Sequence, residues 1–171
     1  MFKKVRTISF LTIMISVGAQ SIFPTSRAAS ADEDFAMKAA KGGQMEVALG
    51  RLAASKGKNA AVRSFGHRMV TDHTKAGNKL KAIAMKKGLT LPTEMDPDQK
   101  AEMDQLSKLS GAEFDRAYMN LMVSDHEKDV SEFETEANSG ADPQLKAFAA
   151  TTLPTLKIHL RLAKQTAEKV K

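Results

Sequence analysis

Residues Met69–Lys75 read MVTDHTK and residues Met122–Lys128 read MVSDHEK. In each string an Asp-His pair follows a Met and stands ahead of a Lys. Each string lies inside a pattern of apolar residues stepping by three and four, the signature of one buried helix face. A histidine on such a face is costly unless it meets a polar partner. Two copies of that arrangement predict that the two pairs meet in one place.

The helices follow from the signals around those strings. A first helix is expected from about Glu33 to Lys56, capped by Asp32, with the stripe Phe35, Ala39, Gly42, Leu49 and Ala53. Gly42-Gly43 is its weak point. Gly57-Lys58-Asn59 breaks the chain, and a second helix follows from about Ala60 to Lys87. Its stripe is Val62, Phe65, Met69, Ala76, Leu80 and Ile83. Residues 89–109 form a crossover, and Asp96-Pro97 starts a short helix within it. Ser110 and Glu113 have capping-box spacing and open a third long helix to about Asn138. Asp142-Pro143 opens the fourth, and Pro154 inside it is expected to kink it.

The chain also repeats itself at an offset of 83 residues. Gly57, Asn59, Val62, Arg63 and Phe65 fall on Gly140, Asp142, Leu145, Lys146 and Phe148, and Glu46 falls on Asp129. A helical hairpin is therefore used twice. Two antiparallel hairpins joined by a long crossover holding a short helix predict an all-α, ferritin-like four-helix bundle.

Each long helix carries one polar residue on its apolar stripe. Glu46 fills the slot between Gly42 and Leu49, and His73 the slot between Met69 and Ala76. His126 lies between Met122 and Val130, and His159 between Leu156 and Ala163. At about 1.5 Å per residue these four sit roughly 17–28 Å from the hinges, which brings them together at mid-bundle. Asp72 and Asp125 lie about 100° around from their histidines, placed to bind directly or to fix an imidazole's tautomer. The set Glu46, His73, His126, His159, Asp72 and Asp125 is a candidate metal site. Imidazoles with a carboxylate suit Zn, Fe, Mn, Ni or Cu, and Met69 and Met122 keep Cu(I) open. A metal-free buried network of the same residues is the alternative. His67 falls off the stripe and is expected to face solvent.

Composition narrows the rest. There is no Cys among 171 residues, which excludes disulfides, thiolate metal sites and thiol nucleophiles. Trp is absent and Phe and Tyr number nine, too few for base-stacking platforms. Residues 1–30 have the form of an export leader, with Lys3, Lys4 and Arg6 ahead of the apolar run Thr7–Val17. The mature N-terminus is expected between Gln20 and Ala31; cleavage after Ala28 leaves 22 basic against 20 acidic residues, a charge of +2 and no basis for nucleic-acid binding. The apolar run is short of the roughly 20 residues of a membrane span, though an uncleaved anchor is the alternative to cleavage. The expected organisation is a leader over 1–30 and one domain over 31–171, in the periplasm or outside a bacterial cell, with no integral membrane span after cleavage.

The strings AAKGGQMEVALGRLA, FGHRMVTDHTKA, LSGAEFDRAYMNLMVSDHEKDVSEFE and DPQLKAFAATTLPTLKIHL resemble the secreted bacterial family called domain of unknown function 4142. The resemblance covers about Asp34 to Ala167. It implies a ferritin-like helical fold and an outer-membrane or periplasmic setting, and it carries no established activity. The residues matching its motif are Glu46, Asp72, His73, Asp125, His126, Leu153-Pro154 and His159. Ferritin-type di-iron sites use Glu-x-x-His motifs, and none lies on these inner faces. The expected function is thus an exported bundle protein that is a candidate for transition-metal binding. Two further readings stand beside it: a metal-dependent oxidoreductase acting on peroxide or superoxide, and an envelope stress or interaction protein with protein partners and a metal-free polar core.

Overall fold

The computed structural model describes residues 25–171, so most of the expected leader lies outside the described residues. Five helices follow in order: α1 Thr25–Lys56, α2 Ala60–Lys87, α3 Pro97–Lys108, α4 Gly111–Ser139 and α5 Pro143–Lys169. The class is all-α. α1 packs chiefly on α2 and α4 chiefly on α5; α1 also lies against α4, and α2 against α5. The short α3 sits in the crossover, as the length of that connection required.

The caps explain most boundaries. The Asn59 side chain accepts from the Ala61 N–H, and α2 ends on Gly88 with φ of 68°, a left-handed cap suited to glycine. Asp96 and Gln99 close a reciprocal capping box on α3, with Pro97 behind the cap. Asp142 accepts from the Gln144 and Leu145 N–H groups at the start of α5. Two expected features differ. Ser110 makes no side-chain cap bond; Gly111 beyond it has φ of 60° and turns the chain differently from a capping box. Asp32 does not start α1, which begins at Thr25. Its carboxylate is buried and accepts instead from the Ala141 N–H at 3.2 Å and the Asp142 N–H at 2.6 Å, in the hinge of the other hairpin. α5 runs unbroken through Pro154.

The helix directions follow from the same kind of contact. Asp115, near the start of α4, accepts from the Lys58 N–H at 2.9 Å and the Asn59 N–H at 2.7 Å. α4 therefore begins beside the α1–α2 hinge and runs antiparallel to α1. The crossover must then travel the length of the bundle, from Gly88 at one end to Ser110 at the other. α1 and α2 approach most closely where Gly50 meets Gly66: a Cβ on Gly66 would lie 2.6 Å from the Gly50 carbonyl oxygen. No side chain but hydrogen fits there.

The core is split. One apolar cluster holds Met45, Leu49, Phe65, Met69, Tyr118 and Met122, toward the α1–α2 hinge. The other holds Phe35, Leu80, Phe133, Phe148 and Leu156, toward the α4–α5 hinge. Between them, on all four long helices, lie Glu46, His73, His126 and His159.

Candidate metal centre

The four inward residues are buried together: Glu46 is 2 % exposed, His73 7 %, His126 0 % and His159 1 %. Helical spacing puts them there: each histidine stands three or four residues from apolar neighbours of both clusters, and Glu46 stands three from Leu49. The ring centroids are 5.6 Å apart for His73 and His126, 5.2 Å for His73 and His159, and 5.3 Å for His126 and His159. One ring nitrogen from each histidine falls within 4.8 Å of the other two.

Two of the rings, His126 and His159, have one nitrogen held by a hydrogen bond and one free, and in His73 one nitrogen only faces a carboxylate. His126 Nδ1 lies 2.9 Å from the Met122 carbonyl, which can only accept, so Nδ1 carries the hydrogen. His159 Nε2 lies 2.9 Å from Asp72 Oδ2 and donates to it. His73 Nδ1 lies 2.7 Å from Glu46 Oε2, off the direction that a hydrogen bond requires. The remaining nitrogens, His73 Nε2, His126 Nε2 and His159 Nδ1, are buried without a hydrogen-bond partner. Oxygen acceptors that hold one imidazole nitrogen and leave the other free are how proteins present imidazoles to metals.

Burial dominates the charges. It pushes His73 and His159 down to about 4 and His126 down to about 3, so all three are neutral at pH 7. Burial likewise pushes Glu46 well above the usual carboxylate range, with the Asp125 charge adding to it. His126 Nε2, a lone pair in the neutral ring, faces Glu46 Oε1 at 3.2 Å. Two lone pairs at that distance need a proton or a cation between them.

The flanking carboxylates divide. Asp72 reaches His159 across the α2–α5 interface, and Arg68 Nη1 lies 3.9 Å from the same oxygen. Asp125 pairs with Lys128 at 3.7 Å and lines a groove with Glu46, Asp129 and, on α3, Glu102. Asp129 also lies against Glu46. Burial raises it well above the usual range, and the Glu46 carboxyl against it raises it further. Its signal in the sequence was the 83-residue repeat, which sets Asp129 on Glu46. Tyr118 is also part of this neighbourhood: its hydroxyl is buried without a partner and pushed up first by burial and then by the Glu46 charge. His67 is exposed, as its register implied.

A cavity of about 20 Å³, room for one water molecule, is lined by Glu46, His73, Asp129, Gly43, Ala76 and Leu156 among others. Of the three histidines only His73 faces this space; the three imidazoles, with one nitrogen each within 4.8 Å of the others, and the Glu46 carboxylate beside them form a donor set that fits a transition-metal ion.

A family model for "Domain of unknown function (DUF4142)" matches residues 18–166, and the chain belongs to that family. No curated protein matches it. Its fold is similar to that of a DUF305 fragment from Deinococcus radiodurans, with a TM-score of 0.72 at 16 % identity, over 81 % of this chain and 96 % of that one. It is also similar to CopM in the Cu(I)-bound form, with a TM-score of 0.68 at 14 % identity, again over 81 % and 96 %. At these identities the likeness is one of fold. Among the described residues no helix is long and apolar enough to cross a membrane.

Proposed function

We propose that the protein binds one transition-metal ion at His73, His126 and His159, with Glu46 as the carboxylate beside them and Asp72 orienting His159. The observation that carries this is the set of three buried ring nitrogens without partners, each on a ring whose other nitrogen faces an oxygen. A metal-free network would be expected to close on itself, and this one leaves a nitrogen open on every ring. Zn, Fe, Mn, Ni and Cu all suit these donors; the Cu(I)-bound relative in fold makes copper the first to test. Asp125 acts, in this reading, only through its charge.

The one-water cavity beside His73 favours a second reading, an oxidoreductase acting on peroxide or superoxide. Three protein ligands with a fourth position open are the pattern of catalytic rather than structural metal sites. The leader-like residues 1–30 support export to the periplasm or beyond, with 31–171 as the working domain and envelope proteins as its neighbours. Mass measurement of the exported chain tests the leader directly: an intact Met1 would overturn cleavage.

The metal reading is tested by thermal unfolding. Chelator-stripped protein is titrated with Cu(I), Cu(II), Zn(II), Fe(II), Mn(II) and Ni(II). A Tm that climbs with the concentration of one of them supports it, because an ion that prefers the folded state stabilises by mass action. A flat response to all six overturns it.

A further inference from the structure

A concave groove of about 550 Å³ lies on the outer face of α1 and α2, walled on one side by the segment after Gly88. The Gln44 side-chain amide donates to the Pro92 carbonyl and holds that wall in place. This volume is typical of small-molecule sites. The lining is largely apolar, with Val47, Leu80, Leu89 and Leu91 prominent. Its charged side chains are Arg51 and Lys81, with no acid among the lining residues. Neither cation forms an ion pair among the described residues.

The groove and the polar centre have a wall in common. It shares Ala39, Gly43, His73, Gly77 and Leu80 with the one-water cavity. Glycine is a poor helix former, so its presence inside a helix needs a reason. Gly50 and Gly66 have one, the close approach of two backbones. Gly77 has none of that kind: a Cβ there would meet nothing within 4 Å. A Cβ on Gly43 would meet only His73 Nδ1, at 4.0 Å. These two glycines hold space open rather than letting helices touch.

We propose that the groove binds a small amphiphilic anion, a single-chain carboxylate whose head pairs with Arg51 and Lys81 and whose apolar body lies over Gly43 and Gly77 against His73. Charge complementarity selects the head: two unpaired cations flank the groove without a neighbouring acid. The open backbone at the two glycines selects the body, since only a slender apolar chain follows that seam toward His73. The site needs no metal and stands independently of the metal reading.

The test uses chelator-treated full-length protein and isothermal titration with decanoate, with decanamide as its neutral counterpart. Saturable binding of one decanoate per chain is expected, with decanamide at least fivefold weaker. Gly77→Leu fills the seam from a position with open space around it, and should weaken decanoate at least tenfold while the circular dichroism spectrum stays as in wild type. Arg51→Ala with Lys81→Ala, two exposed positions, should bring decanoate down to the affinity of decanamide. Absence of saturable binding in wild type, an unchanged affinity in Gly77→Leu, or equal binding of decanamide and decanoate would each overturn the proposal. Because metal is absent throughout, failure here leaves the metal reading standing, and failure of the metal titration leaves this one standing.

Discussion

Asp32 and Asp115 stand 83 residues apart and perform the same task at opposite ends of the bundle. Asp115 on α4 closes the α1–α2 hinge through the Lys58 and Asn59 N–H groups, and Asp32 on α1 closes the α4–α5 hinge through those of Ala141 and Asp142. The hinge residues are themselves 83 apart, so the two clamps are related by the internal repeat. Each hydrogen bond from a backbone N–H to a carboxylate is worth about 1.5–3 kcal/mol, and its loss leaves donors open in a part-buried hinge. Asp115→Ala should therefore cost about 2–4 kcal/mol in urea unfolding. The Asp32→Ala loss should add to it in the double variant, since the clamps share no partner.

The two kinds of helical glycine should part under substitution. Gly66→Ala places a methyl 2.6 Å from the Gly50 carbonyl oxygen and 2.8 Å from the Ala54 nitrogen, both backbone atoms. The helices must separate, at about 2–3 kcal/mol net of the gain in helix propensity. Gly77→Ala meets nothing and should stabilise by about 0.5–1 kcal/mol. Denaturant midpoints of the two variants on opposite sides of wild type are the expected result; Gly66→Ala matching wild type would refute the close approach.

The histidine cluster was largely legible in the sequence because a helix has one dominant period. Once the stripes were drawn, Glu46, His73, His126 and His159 had nowhere to point but inward. The flanks were harder. Asp72 and Asp125 have the same local register, yet Asp72 meets α5 and Asp125 meets the groove beside α3. The rotation around one helix gives a direction, and only the packed bundle says which neighbour fills it. Asp129 was visible only through the repeat that sets it on Glu46. Asp32 was read as a cap because a carboxylate ahead of an apolar run usually is one; a hydrogen bond to a hinge more than 100 residues away leaves no local trace.

Metal affinity should separate the roles of the site residues. His126→Ala removes a nitrogen at the centre of the cluster and should abolish the metal-dependent rise in Tm. Asp72→Asn leaves every nitrogen in place and disturbs only the acceptor that orients His159. Loss of such an orienting partner lowers affinity roughly 10–100-fold. Asp125→Asn, whose ion pair is with Lys128, should stay within about threefold of wild type. Competition with a chromophoric chelator measures all three, and a large loss in Asp125→Asn would put that carboxylate back among the ligands.

A pH-dependent stability term is expected far from the histidines. Glu136 is buried near the α4–α5 hinge with Oε1 unpartnered; burial, then the charges of Asp32 and Asp142, push it from 4.5 up to about 7, against the pull of Lys146. Between those values the folded chain holds a proton that the unfolded chain releases. Stability from this group therefore falls as pH rises through that window, and the loss is complete above about 7. Glu136→Gln should gain on the order of 1–3 kcal/mol at pH 8 relative to its own effect at pH 4. Equal effects at the two pH values would show that the carboxyl titrates normally.

The polar layer that divides the core is expected to divide the cooperative structure of the bundle as well. The apolar residues on either side of it bury surface in separate clusters, so the two ends should open as distinct units, each closed by its own aspartate clamp. His73, His126 and His159 come from α2, α4 and α5, one from the first hairpin and two from the second. An ion bound there would act as a rivet through the seam between the hairpins. Amide exchange would then slow at both ends together, in residues that never touch the metal.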